Sequence, residues 1–167
     1  MAWMIVSDSS CDIRELRPLS PGVQFSLVPF KVRIGQREYV DLATLNIPQM
    51  MQAMTDYNGA STSACPSPEE WAACFLQADQ ILAITISSNL SGSYNAACSA
   101  REMVLEEHPE KKIFILDTLS CAGALGDAAE LANTLIGQGL GFEDVCFALK
   151  KFAETTHILF ALASFDN

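Results

Sequence analysis

Positive charge is scarce in this chain. Ten lysines and arginines face twenty aspartates and glutamates, for a net charge of −10 and a pI near 4.5. An acidic surface repels phosphate backbones and anionic lipid, which argues against a nucleic-acid partner and against integral or surface contact with a membrane. Histidine is rarer still, at two residues. Neither His108, beside Pro109 in a charged segment, nor His157 has a visible partner, so neither is assigned as a base. The six cysteines form no C-x-x-C pair and sit mostly in apolar contexts. That pattern excludes a zinc ribbon, predicts no metal site, and fits reduced, packed thiols in a cytoplasmic protein. No apolar run has the length of a bilayer span. The apolar start, Met1 to Val6, lacks a basic flank and reads as a first strand, not a signal peptide. Nucleotide signatures are missing too. No G-x-G-x-x-G follows a strand, and there is no G-x-x-x-x-G-K-[ST]. Leu90-Ser91-Gly92 lacks the first glycine of a nucleophile elbow.

What is present is apolar. Half of the 167 residues are hydrophobic, enough for one well-buried domain. Trp3 to Ser7 reads as a strand, and Ser7 to Asp12 as a turn capping a short helix through Leu16 that Pro18 stops. Gln24 to Pro29 is a second strand. Lys31 to Ile34 and Glu38 to Val40 flank Gly35-Gln36 as a β-hairpin. A methionine-rich helix runs from Gln49 to about Thr55, with Met50, Met51 and Met54 expected in the core. Ser67-Pro68-Glu69-Glu70 has the pattern of a capping box. Gln80 to Ser87 is nearly continuous in apolar residues, as a strand covered on both faces requires. A helix follows Gly92 as far as Glu107. Lys112 to Asp117 is another strand, and Ala122 to Ile136 and Phe142 to Thr155 are helices. His157 to Ala163 is expected to be a last strand, after which the chain reads as cut short. Alternating strands and helices define an α/β fold: a mainly parallel sheet with helices on both faces and a hairpin excursion.

Ligands of open α/β sheets bind beyond the carboxyl ends of the strands. Polar clusters fall there: Asp8-Ser9-Ser10, Ser87 to Ser93, and Asp117 to Ser120. A fourth, Ser61 to Pro66, precedes the capped helix. Hydroxyls and amides gathered at a helix N-terminus suit an anion, and Gly92 lets a ligand approach the backbone. Each cluster also has a plainer reading. Ser91 is an N-cap in one of them, Thr62 and Ser63 are loop polar groups, and Asp8 caps its own turn. An enzymatic alternative makes Asp8 a phosphotransferase or phosphatase nucleophile, with Ser87 or Ser88 and Asp117 at neighbouring strand ends. The second position after it is Ser10, where a haloacid dehalogenase type of site needs an acid.

Four segments in register resemble the DegV family of bacterial fatty-acid-binding proteins. They are Ile5-Val6-Ser7-Asp8-Ser9-Ser10-Cys11-Asp12, then Val28 to Val32 with Tyr39-Val40-Asp41, then Ser61 to Pro68, and Ile86-Ser87-Ser88-Asn89-Leu90-Ser91-Gly92-Ser93-Tyr94-Asn95-Ala96-Ala97. The resemblance implies a non-catalytic protein that buries one long-chain fatty acid and needs no other cofactor. The carboxylate would be held by the hydroxyls of Thr62 and Ser91, with Ser63, Gly92 and Ser88 nearby. Asp8, Ser9, Phe25 and Leu27 are candidates for the mouth and tunnel, with Ile34 and Met54 as further candidates for its walls. A separate ATP-binding fatty acid kinase subunit would receive the acid and form acyl phosphate for phospholipid synthesis. Residues 1–167 would be the N-terminal domain of a two-domain fold, with a histidine and a basic, glycine-rich loop supplied from beyond Asn167. Cys65 stands where the family often has glutamine. The energetics agree: each buried methylene contributes about 0.8 kcal/mol, so an acyl chain supplies on the order of 10 kcal/mol before association costs. A helix terminus adds only about 0.3–2 kcal/mol. The tail gives affinity and the polar mouth gives orientation.

Overall fold

The computed structural model describes residues 2–159. Four parallel strands form the main sheet in the order β2-β1-β6-β7: β1 (Trp3–Asp8), β2 (Val23–Val28), β6 (Gln80–Thr85) and β7 (Lys112–Asp117). A second sheet is antiparallel, in the order β4-β3-β5. It consists of β3 (Lys31–Ile34), β4 (Arg37–Val40) and β5 (Thr62–Ala64). Five helices complete the described chain: α1 (Ile47–Asp56), α2 (Pro68–Phe75), α3 (Ser93–Glu107), α4 (Gly123–Gly137) and α5 (Phe142–Thr155).

Strand alternation builds two cores from one sheet. On β1, Trp3 and Ile5 point to one side with Leu82, Ile84 and Leu116, against Leu125, Ala129, Val145 and Leu149 of α4 and α5. Met4 and Val6 point to the other with Ile81, Ala83 and Ile115, against Trp71 and Phe75 of α2 and Ala97, Ala100 and Val104 of α3. Every residue of β1 and β6 is buried, which is why Trp3 to Val6 and Ile81 to Ile84 are apolar throughout. The α2 start carries the expected capping box. The Glu70 amide donates to Ser67 Oγ at 3.3 Å, and the Ser67 amide to Glu70 Oε2 at 2.8 Å. Between β3 and β4, Gly35 turns the hairpin at φ +60°, a conformation that side chains disfavour.

Three expectations fail. The segment from Cys11 to Leu16 is not a helix but an irregular run laid across α4. Cys11 forms a parallel bridge with Ala122, and Ile13 Cδ1 lies 2.7 Å from where a Cβ on Gly126 would be. Further along, the Ser20 amide donates to Asn133 Oδ1 at 2.8 Å. A helix would withdraw these residues from α4, so docking outweighs local propensity. Second, Thr62 to Ala64 is a strand and not a loop. Third, α1 buries none of its residues, with Met51 51 % and Met54 37 % exposed and Met50 half-buried. The methionine helix stands outside both cores. The expected closing strand from His157 to Ala163 lies largely outside the described residues, and 157–159 are irregular.

Candidate functional site

Chain order reverses between β1 and β6. β2 lies on one flank of β1, while β6 and β7 extend on the other. Loops leaving the carboxyl ends of β1 and β6 therefore diverge and leave a crevice, the usual ligand position in open sheets.

Asp8 is the knot of this crevice. It ends β1 with no exposed surface. Its Oδ2 accepts the Ile86 amide at 2.9 Å and the Ser93 hydroxyl at 2.7 Å. Its Oδ1 accepts both the amide and the hydroxyl of Ser10. One carboxylate thus joins the β1 turn, the loop after β6 and the start of α3. Burial pushes its pKa above the ordinary value, against the lowering pull of these bonds. With both oxygens engaged, the group suits a crosslink better than the nucleophile of the phosphotransferase alternative. Ser9 is likewise structural here: it is buried, and its hydroxyl accepts the Phe30 amide at 2.9 Å.

The loop from Ile86 to Gly92 is self-supporting. The Ser87 amide reaches the Ser120 carbonyl at 2.8 Å, and Ser87 Oγ accepts the Asn89 amide at 3.2 Å. Asp117 Oδ1 accepts the amides of Ser88 and Leu119, each at 3.1 Å, so the ends of β6 and β7 share one acceptor. Leu119 and Ala122 hold positive φ values of 50° and 56°, a strain lodged in the loop beside Ser87. α3 begins at Ser93 with Gly92 just before it. Gly92 is itself helical, at φ −73° and ψ 0°, so the capping hydroxyl is that of Ser91. It sits one place earlier and accepts the Ser93 amide at 3.2 Å. Gly92 is exposed and Ser91 half-buried.

The second segment comes from the small sheet. β5 pairs with β3, setting Thr62 opposite Arg33, Ser63 opposite Val32 and Ala64 opposite Lys31. Thr62 and Ser63 are exposed. Just past β5, Cys65 Sγ lies 3.5 Å from the point a Cβ on Gly92 would occupy. The end of β5 thus meets the α3 start.

Three of the tunnel candidates, Phe25, Leu27 and Ile34, line clefts of the described molecule. Phe25 and Leu27, half-buried on β2, line a cleft of about 280 Å³ together with Arg14, Asp41 and Leu42. Phe25 also lines an adjoining cleft of about 700 Å³. Thr62 and Ser91 line neither of these clefts. Ile34 is buried at one wall of a third, of about 480 Å³, with Ala53 and Tyr57. Sequence reasoning missed Asp117 as the shared acceptor and Ser93 as the Asp8 donor. The Ser93 hydroxyl was legible only as part of a serine-rich run. Among the described residues, no group of three or more His, Cys, Asp or Glu is placed to hold a metal, and no helix is long and apolar enough to cross a membrane.

A parallel four-stranded sheet between helix layers, with a small antiparallel sheet beside it, defines the class: an α/β domain with a topological switch point between β1 and β6. The family model described as "Uncharacterised protein, DegV family" matches residues 2–167, and the chain belongs to that family. A DegV domain-containing protein of Streptococcus gordonii is 42% identical over 167 residues, all of this chain and 59% of the relative. The chain therefore spans well under two thirds of the length of such curated relatives. The fatty acid kinase B3 protein of Streptococcus pneumoniae, solved loaded with linoleic acid, superposes with a TM-score of 0.90 at 41% identity, covering 92% of this chain and 55% of that one. A DegV family protein from Eubacterium eligens, loaded with heptadecanoic acid, matches with a TM-score of 0.85 at 33% identity, covering 92% and 54%.

Proposed function

We propose that this domain binds a long-chain fatty acid, burying the tail and holding the carboxylate between β5 and the start of α3. The observation that carries the reading is the likeness to family members solved with fatty acids bound, above all the linoleic-acid-loaded B3 protein. Thr62 and Ser91 supply hydroxyls, and Ser63, Ser88 and Gly92 lie in the same two segments. The contact of Cys65 with the Gly92 position supports their convergence. Asp8 and Ser9 hold the mouth in shape from beneath, while Phe25 and Leu27 offer apolar surface to a tail.

The role is carriage and presentation, not catalysis. A separate ATP-binding kinase subunit would phosphorylate the presented carboxylate. The saturated hydrogen bonding of Asp8 favours this over the phosphotransferase reading, because a nucleophile needs a free lone pair aimed at substrate. Residues 1–167 act in this reading as the N-terminal domain, and the additional length of the relatives supplies the rest of the enclosure.

Native mass spectrometry of the protein, purified and then incubated with linoleic acid, tests the proposal. One bound acyl ligand is expected, with occupancy reduced in Ser91→Ala and Thr62→Val. No carried or acquired ligand, or variants indistinguishable from the parent, overturns it.

A further inference from the structure

The small sheet places one cation directly beside the proposed carboxylate site. Residues opposed across an antiparallel pair project to the same face. Arg33 is opposed by Thr62 on one side and by Glu38 on the other, so Glu38, Arg33 and Thr62 form a row across β4, β3 and β5. All three are exposed. The other two cations of the hairpin are differently placed. Lys31 Nζ is committed to Glu70 Oε1 at 2.7 Å, and Arg37 is opposed by Ile34, which alternation puts on the other face. Among the described residues Arg33 forms no ion pair.

We propose that Arg33 is a carboxylate-binding residue, its guanidinium pairing with the ligand head group that the Thr62 hydroxyl orients, and that Glu38 moderates it from the far side of the row. The inference rests on the fatty-acid reading above and goes beyond it by adding a charged partner to a set of neutral donors. A guanidinium offers two parallel N–H groups to a carboxylate and stays protonated at all working pH values. A hydroxyl can align an acid but distinguishes poorly between an acid and its ester. Arg33 supplies that distinction. Glu38 sets its strength, because a carboxylate on one flank partly satisfies the guanidinium and repels a second carboxylate arriving on the other.

The test compares linoleic acid with methyl linoleate by fluorescence displacement, using the full chain, Arg33→Gln and Glu38→Gln. Arg33→Gln is expected to weaken linoleic acid about fivefold, the upper end for a solvent-exposed ion pair, and to leave the ester unchanged. Glu38→Gln is expected to tighten the acid and not the ester. Both differences shrink as salt is raised. Matched thermal midpoints of the two variants establish that each is folded. Arg33→Gln binding the acid as the parent does, or losing acid and ester equally, overturns the assignment while the fatty-acid reading stands. Failure of the parent to take up either ligand overturns both.

Discussion

Replacing Asp8 by alanine tests how the crevice is built. The carboxylate accepts four bonds, from the amides of Ser10 and Ile86 and the hydroxyls of Ser10 and Ser93. Hydroxyls can rotate to other acceptors, but the two amides are fixed by the backbone. A buried donor left without a partner costs about 1–3 kcal/mol. Two of them, less the relief of no longer burying a charge, bring the cost to about 2–5 kcal/mol. Native domains hold only about 5–15 kcal/mol in total. At about 2–4 °C per kcal/mol for a domain of this size, the thermal midpoint should fall by about 5–20 °C. Asp8→Asn keeps one acceptor oxygen and should fall less. The pH dependence has a definite sign. Burial raises the folded pKa of Asp8 above its unfolded value, so the folded state binds the proton more readily. This group's contribution therefore falls as pH rises through the interval between the ordinary carboxylate value and the raised one, and is recovered as pH drops back through it. Asp8→Asn should lose that component. Thermal melts read the two midpoints, and denaturant melts at several pH values read the pH dependence. A variant with the parent's midpoint would refute the crosslinking argument. A magnesium-dependent phosphatase activity abolished by Asp8→Asn would restore the enzymatic reading.

Other outcomes follow from the same contacts. Gly92→Ala should fold normally, because Gly92 has φ −73° and the new methyl would rest in ordinary contact with Cys65 Sγ at 3.5 Å. A fall in linoleic acid uptake without a fall in midpoint would then report crowding of the ligand, and unchanged uptake would remove Gly92 from the site. Ser67→Ala breaks the reciprocal cap of α2 and should cost about 1 kcal/mol in a urea melt, with ligand uptake untouched. Cys146, 6 % exposed, has its thiol pushed up by burial to about 12. It should resist iodoacetamide at pH 8 in the native protein and react once urea unfolds it, as peptide mass mapping would record.

The absence of buried residues on α1 sets it apart from every other helix described. Its stability comes from its ends: the Asn46 side chain accepts the Gln49 amide at 3.0 Å, and proline stands in the first turn. Short helices are marginal on propensity alone, so α1 is the element least supported by the two cores.

The amino-acid order alone determined whatever depends on neighbours along the chain. The buried strands β1 and β6 declared themselves as apolar runs, the α2 cap as serine-proline-glutamate, and the hairpin as two alternating runs around Gly35. Even the polar loops at the strand ends could be located, because periodicity and caps act within a few residues. Tertiary structure decided the rest. Thr62 to Ala64 is a strand only because β3 offers it a partner some thirty residues away in sequence. Cys11 to Leu16 stays irregular because α4 has room for Ile13 over Gly126. Asp8 became a four-way acceptor only when Ile86 and Ser93 were folded onto it. These outcomes turn on contacts between distant segments, whose energies exceed local preference and leave no periodic trace in the sequence.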